Sequence, residues 1–142
     1  MSRPRRIATV IVHDLAQVRA ALAAAAEAGA EIRLLTPPGG AHYAGPGFYA
    51  ELARQAAAEH PRARFRFTLD CGDDAALALE ALGAGWQALV LRRAGRVWDK
   101  AAGVASRHGA ALHRRAPAAL DLIEVKDAGE TCRKLLLPAE RH

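Results

Sequence analysis

Three places in the chain put chemically capable side chains directly behind apolar runs. His13 and Asp14 follow IATVIV (7–12) and offer a base beside a carboxylate. Asp70, Cys71, Asp73 and Asp74 follow ARFRFTL (63–69) and combine three carboxylates with a thiol. Arg92 and Arg93, with Arg96 three residues on, follow WQALVL (86–91) and supply guanidinium forks suited to two-point binding of phosphate or carboxylate. A fourth place, TPPGGAHYAGPGF (36–48), starts at Thr36 behind EIRLL. Its Gly39, Gly40 and Gly47 let the backbone approach a ligand closely, while His42 and Tyr43 offer a proton donor and a ring face.

Each group has a plainer explanation beside the chemical one. Asp14 and Asp70, if brought together, could hold Mg²⁺ with open positions for water or phosphate; no other cofactor is indicated. Yet Asp14 with Gln17 also spells an ordinary capping box, and Asp73 suits a helix N-cap. Cys71 sits before a helix start, where the dipole acidifies a thiol, and His13 or His42 could serve as its base. Asp70, Asp73 and Asp74 oppose that thiolate, so a buried, inert cysteine is the expectation. The Gly-rich segment is neither GxGxxG nor a P-loop. It leads into a helix start, which favours an anion, but it could equally be a rigid turn over the sheet edge. The arginines suit a solvated face as well as a ligand.

These groups are positioned by alternating strand and helix patterns. Strands are expected at 7–12, 31–35, 63–69 and 86–91, with a weaker fifth at 110–113. Helices are expected between them: DLAQVRAALAAAAEA stopped by Gly29, FYAELARQAAAEH between Pro46 and Pro61, 73–82 closed by Gly83 and Gly85, and 96–108. Repeated βα units predict a single-domain α/β protein, three-layered, with a mostly parallel sheet of four to five strands. The flavodoxin-like order 2-1-3-4-5 is preferred, and a half (β/α)8 barrel that pairs with a copy of itself is the alternative. Either way ligands belong at the carboxyl ends of the strands, where all four groups lie. The preferred order makes the first and third strands neighbours, so Asp14 and Asp70 would meet. That placement resembles the acidic pocket of response-regulator receiver domains, but only at those two residues. Arg92 stands where receivers carry Thr or Ser, and no Lys occurs near 110–113.

Composition narrows the classes. The 142 residues suit one domain, 1–142, with a basic tail at 1–5 and a helical segment at 117–142 interrupted at Gly129. Hydrophobic residues make up 51%, but 35 are Ala, so the core is modest and association with a second copy, as a homo-dimer, would supply further burial. The net charge of +5 rests on 17 Arg in an Ala-rich chain, and the basic groups lack interleaved aromatics, so nucleic acid is not expected as a partner. Trp86 and Trp98 are expected in core or oligomer packing. No apolar run approaches the roughly 20 residues of a membrane span, no secretory signal is legible, and Cys71 and Cys132 form no CxxC pattern. A cytoplasmic protein is expected.

The segments PPGGAHYAGPGF and LDCGDDAALALEALGAG together resemble a family of small, uncharacterised bacterial α/β proteins over about residues 7 to 122. The resemblance implies that the two segments belong together in one fold, and it implies no activity.

The sequence thus leads to a cytoplasmic protein that binds a small anionic ligand at the strand ends. Gly39, Gly40 and Gly47 would approach the ligand, His42 and Tyr43 lie over it, Asp14 and Asp70 orient it, and Arg92 neutralise it. Asp70→Ala would then weaken binding and leave the fold intact. The alternatives are a self-associating interaction or regulatory module and, more remotely, a receiver-like phosphotransfer domain. Whether the protein is an enzyme is left open, since no set of residues combines nucleophile, base and oxyanion donor.

Overall fold

The computed structural model describes residues 8–137, so the basic tail at 1–5 lies outside the described residues. Strand β1 (Ala8–Ile11) runs into helix α1 (Leu15–Ala28). Asp14 caps α1 by accepting the Gln17 N–H at 2.8 Å, and Gln17 returns a bond to the His13 N–H. Gly29 ends the helix in the left-handed conformation. Then come β2 (Glu31–Leu35), α2 (Gly40–Ala44), α3 (Pro46–Glu59) and β3 (Arg64–Asp70). The chain continues through α4 (Ala75–Gly83), β4 (Ala88–Val90), α5 (Gly95–Arg107), β5 (Ala111–His113), β6 (Leu120–Asp121) and α6 (Ala128–Leu136).

Local chemistry accounts for three departures from the expected elements. The Gly-rich segment is not all loop: Gly39 (φ 66°) turns the chain so that Gly40–Ala44 closes one short helix, and Gly45 (φ 84°) starts α3 with Pro46 in its first turn. The N-cap of α4 is Asp74, not Asp73, because the Asp74 carboxylate reaches the Leu77 N–H at 3.0 Å. The segment from 117 is not helical at its start. Leu120–Asp121 is a sixth strand, and Gly129 sits inside α6 rather than breaking it.

All six strands are parallel, in the order β5-β4-β3-β2-β1-β6. The expected count of four to five and the order 2-1-3-4-5 are therefore corrected. β2, not β1, lies beside β3, because each of the first four crossovers steps the same way. Successive right-handed crossovers stepping one way lay their helices side by side, and α1 does pack between α6 and α3, as α4 packs on α5. Strands β1 to β5 follow the consecutive order of the half-barrel alternative, with β6 added on the β1 edge.

The short β5–β6 connection shows that the sheet is curled. β5 and β6 hold opposite edges yet are joined by residues 114–119 alone. From His113 to Leu120 a fully extended chain spans at most about 25 Å. Five strand spacings of a flat sheet need about 24 Å across, and Leu120 pairs three residues lower along the strands, about 10 Å more in the perpendicular direction. A flat sheet would put the two about 26 Å apart, at the limit of a fully extended chain, and the connection bends at 114–115, so the edges curl toward each other.

One face of this sheet packs under the helices through Val10, Ile32, Leu34, Phe67, Leu69 and Leu89, which join Val18, Leu22, Ala56 and Leu82 in one core. Many contacts in it are made by alanines, including Ala21, Ala25, Ala78 and Ala81, which let helices approach closely. The alternating positions Leu35, Ala88 and Val90 are also buried, but outside that core, as the inside of a curled sheet would bury them. No helix among the described residues is long and apolar enough to cross a membrane.

Candidate functional site

Asp70, the last residue of β3, organises the carboxyl edge. Its backbone N–H donates to Thr36 Oγ1 at 2.9 Å, fastening β3 to the end of β2. One carboxylate oxygen accepts from the Gly39 N–H (3.1 Å), the Gly72 N–H (2.9 Å) and Arg92 Nη1 (2.7 Å), and the other accepts from Arg92 Nη2 (2.8 Å). Each contact has a local cause. Gly39 and Gly72 both hold positive φ, which turns their N–H groups inward. Arg92 is anchored by its own backbone N–H, which donates to the Gly72 carbonyl at 2.7 Å. The PPGG turn and the LDCGD segment are thus held together through one carboxylate.

This arrangement revises the expected roles of the two acids. Asp70 is filled by its own protein partners, so it positions loops and Arg92 and does not face a ligand. β2 separates the ends of β1 and β3, and Asp14 spends its carboxylate on the α1 cap. The paired-carboxylate Mg²⁺ site and the receiver-like acidic pocket are therefore not assembled. Among the described residues no group of three or more His, Cys, Asp or Glu side chains is placed to hold a metal ion.

His13 finds a partner the sequence did not suggest. Its Nε2 lies 2.6 Å from Asp121 Oδ1, joining the end of β1 to β6, while Asp121 also accepts the Ile123 N–H. The signal was hidden because 107 residues separate the two and β6 is only two residues long.

Two depressions flank the Asp70–Arg92 pair. The first, about 360 Å³, lies between α2 and the turn from β3 to α4, with Gly39, His42, Tyr43, Asp73, Asp74 and Arg93 around it and Cys71 at its base. Tyr43 is 85% exposed and stands edge-on to the His42 ring, and His42 Nδ1 lies 3.9 Å from Asp74 Oδ2. Burial, with Asp70 and Asp74 nearby, pushes the Cys71 thiol up to about 12, which makes it a poor nucleophile near neutrality. The second depression, about 640 Å³ and shallow, is lined by Arg92, Arg93, Ala94, Arg114, Arg115 and Ala116 at the ends of β4 and β5. Arg114 stacks over the Trp98 ring at 4.6 Å, so the aromatic partner missing around that pair in the sequence comes from α5.

Of the expected site residues, Gly39, His42, Tyr43, Cys71 and Asp73 share the first depression and Arg92 lines the second. Thr36 and Gly40 lie beneath them in contact: a Cβ on Gly40 would meet Thr36 Cβ at 3.0 Å and the Tyr49 hydroxyl at 3.1 Å. Gly47 sits in the first turn of α3, lines neither depression and leaves the set. Arg93, Arg114, Arg115 and Asp74 join it.

The chain matches no protein-family model, and a search of curated proteins found none similar to it.

Proposed function

We propose that this is a cytoplasmic protein that binds a small anion, bearing a phosphate or carboxylate group, at the carboxyl ends of β4 and β5. One observation carries the reading: four guanidinium side chains, Arg92, Arg93, Arg114 and Arg115, line one depression that has no carboxylate on its wall. Like charges gathered around one space repel, and a bound anion relieves that repulsion while accepting their N–H groups. Three of the four are also held in place. Asp70 fixes Arg92 at two points, the Asp73 carbonyl accepts from Arg93 Nη1 at 3.3 Å, and Trp98 supports Arg114. The test is calorimetric titration with inorganic phosphate, pyrophosphate and citrate, repeated with Arg114→Gln/Arg115→Gln. The parent should bind at least one of them and the double variant roughly tenfold more weakly, a loss of about 1.4 kcal/mol. Equal affinity in parent and variant would overturn the reading.

A second reading, self-association, is favoured by the sheet face away from the core. Thr9, Ile11 and Arg33 are only half-buried there, and Arg33 Nε is a buried donor with no hydrogen-bond partner. A copy of the chain covering that face would complete the burial of Ile11 and of the Arg33 stem. A monomer by light scattering at high micromolar concentration would remove this reading and leave the anion site untouched.

A further inference from the structure

We infer that the anion is the phosphate of a nucleotide, whose base occupies the depression between α2 and the β3–α4 turn. The inference rests on the anion reading above and adds the identity of the rest of the ligand.

Arg93 lines both depressions, so they adjoin across a single side chain. Their chemistries are opposite. The larger offers four guanidinium groups and no carboxylate, whereas the smaller sets two carboxylates, Asp73 and Asp74, and two aromatic rings against the single guanidinium of Arg93. An inorganic anion would use one and ignore the other. A ligand with anions at both ends would meet repulsion from Asp73 and Asp74. The pair of sites suits a molecule with an anionic end and, a short distance away, a flat, uncharged end rich in N–H donors.

The rings specify the flat end. Tyr43 projects from a five-residue helix with 85% of its surface exposed, which does nothing for the core. Its ring stands at 84° to that of His42, with centroids 6.2 Å apart. Two perpendicular rings give a planar group one face to stack on and one edge to abut. The carboxylates specify its donors. Asp74 uses one oxygen to cap α4, and its other oxygen points to His42 at 3.9 Å, too long for a hydrogen bond without a bridging group. A carboxylate accepts well from the exocyclic amino group of adenine, cytosine or guanine, which uracil lacks. Gly39 at the rim adds no side chain, so a sugar could pass close to the backbone.

The experiment is calorimetric titration of the full chain with inorganic phosphate, AMP and UMP at one fixed ionic strength, on the parent protein, Tyr43→Ala and Asp73→Asn/Asp74→Asn. AMP should bind at least tenfold more tightly than phosphate and severalfold more tightly than UMP. Tyr43→Ala should reduce AMP to about the affinity of phosphate and leave phosphate unchanged, and the exposure of Tyr43 means that this variant keeps its core. The double Asn variant should lose the preference for AMP over UMP. If phosphate binds and AMP binds no better, the nucleotide inference fails and the anion reading stands. If AMP binds better but Tyr43→Ala does not affect it, the base is elsewhere and the inference fails as stated. If nothing binds, both fail.

Discussion

Asp70 and Arg92 meet in a two-point ion pair, at 2.7 and 2.8 Å, between an aspartate side chain that is 1% exposed and an arginine side chain that is 41% exposed. The asymmetry decides what each residue does. The buried partner can only be satisfied by the protein, and it is, through Arg92 and the N–H groups of Gly39 and Gly72. The exposed partner keeps donors for something outside.

Asp70→Ala should therefore reduce stability first and binding second, contrary to the expectation from sequence. The variant orphans two N–H groups and releases Arg92, which can rehydrate because it is half in water. The cost should be about 3 kcal/mol, at the low end for breaking a buried pair. Arg92→Met leaves the buried carboxylate short of two donors, and the double variant should cost less than the two singles together, with a coupling of about 2 kcal/mol. Urea unfolding of the three variants measures this. Additive single effects would show that the pair contributes nothing jointly.

Gly40 and Gly47 separate close packing from ligand approach. Gly40→Ala would press its new methyl against Thr36 and the Tyr49 hydroxyl, all buried, and should destabilise by roughly 1–3 kcal/mol, as overpacking does. Gly47→Ala has open space and an ordinary backbone in the first turn of α3, so it should leave the melting temperature unchanged or raised and affinity unchanged. Loss of affinity in Gly47→Ala with normal stability would return that residue to the site.

The sequence showed the parts of this molecule better than their neighbourhood. β2 was legible to the residue because Pro37 and Pro38 stop it, and α1 was legible because Asp14, Gln17 and Gly29 mark both ends. Strand order was not, because the β-branched run of β1 and the hydrophobic alternation of β3 say which faces are buried and nothing about which strand lies beside them. That single gap displaced Asp14 from Asp70 and removed the imagined metal site. β6 was invisible for another reason: two residues carry no period, and Leu120 reads as readily in a helix. Arg114 and Arg115 were legible as charges, but their joining Arg92 and Arg93 depends on β5 lying beside β4.

The two thiols predict behaviour at alkaline pH. Burial pushes Cys71 up to about 12 and Cys132 up to about 11, against an ordinary value of 9.0. Both raised values mean that the folded state holds its thiol protons after the unfolded chain has released them. Their contribution is intact below pH 9 and is lost as pH rises from 9 toward 11 and 12, by at most about 1.4 kcal/mol per pH unit for each thiol. Cys71→Ala/Cys132→Ala should flatten the fall in stability between pH 9 and 11 in denaturant titrations, and the parent should react slowly with a thiol reagent at pH 8. Rapid labelling of Cys71 in the folded protein would contradict its placement.

The contact between His13 and Asp121 ties the C-terminal segment to the first strand. β6 pairs with β1 over two residues only, so most of its hold on the sheet must come from that side-chain contact, from Leu122 in the core and from α6 lying along α1. Asp121→Ala removes the partner of His13 and the acceptor of the Ile123 N–H together, which should cost about 1 kcal/mol because both side chains are partly in water. The effect should be local. Hydrogen exchange should speed up in 120–125, while β2 and β3, buried in mid-sheet, keep the parent's protection. His13→Ala should open the same segment by a smaller amount, since the Ile123 cap remains. Uniform acceleration across the sheet in either variant would mean that β6 and the first strands unfold as one unit, and that the contact holds the whole edge rather than its last strand.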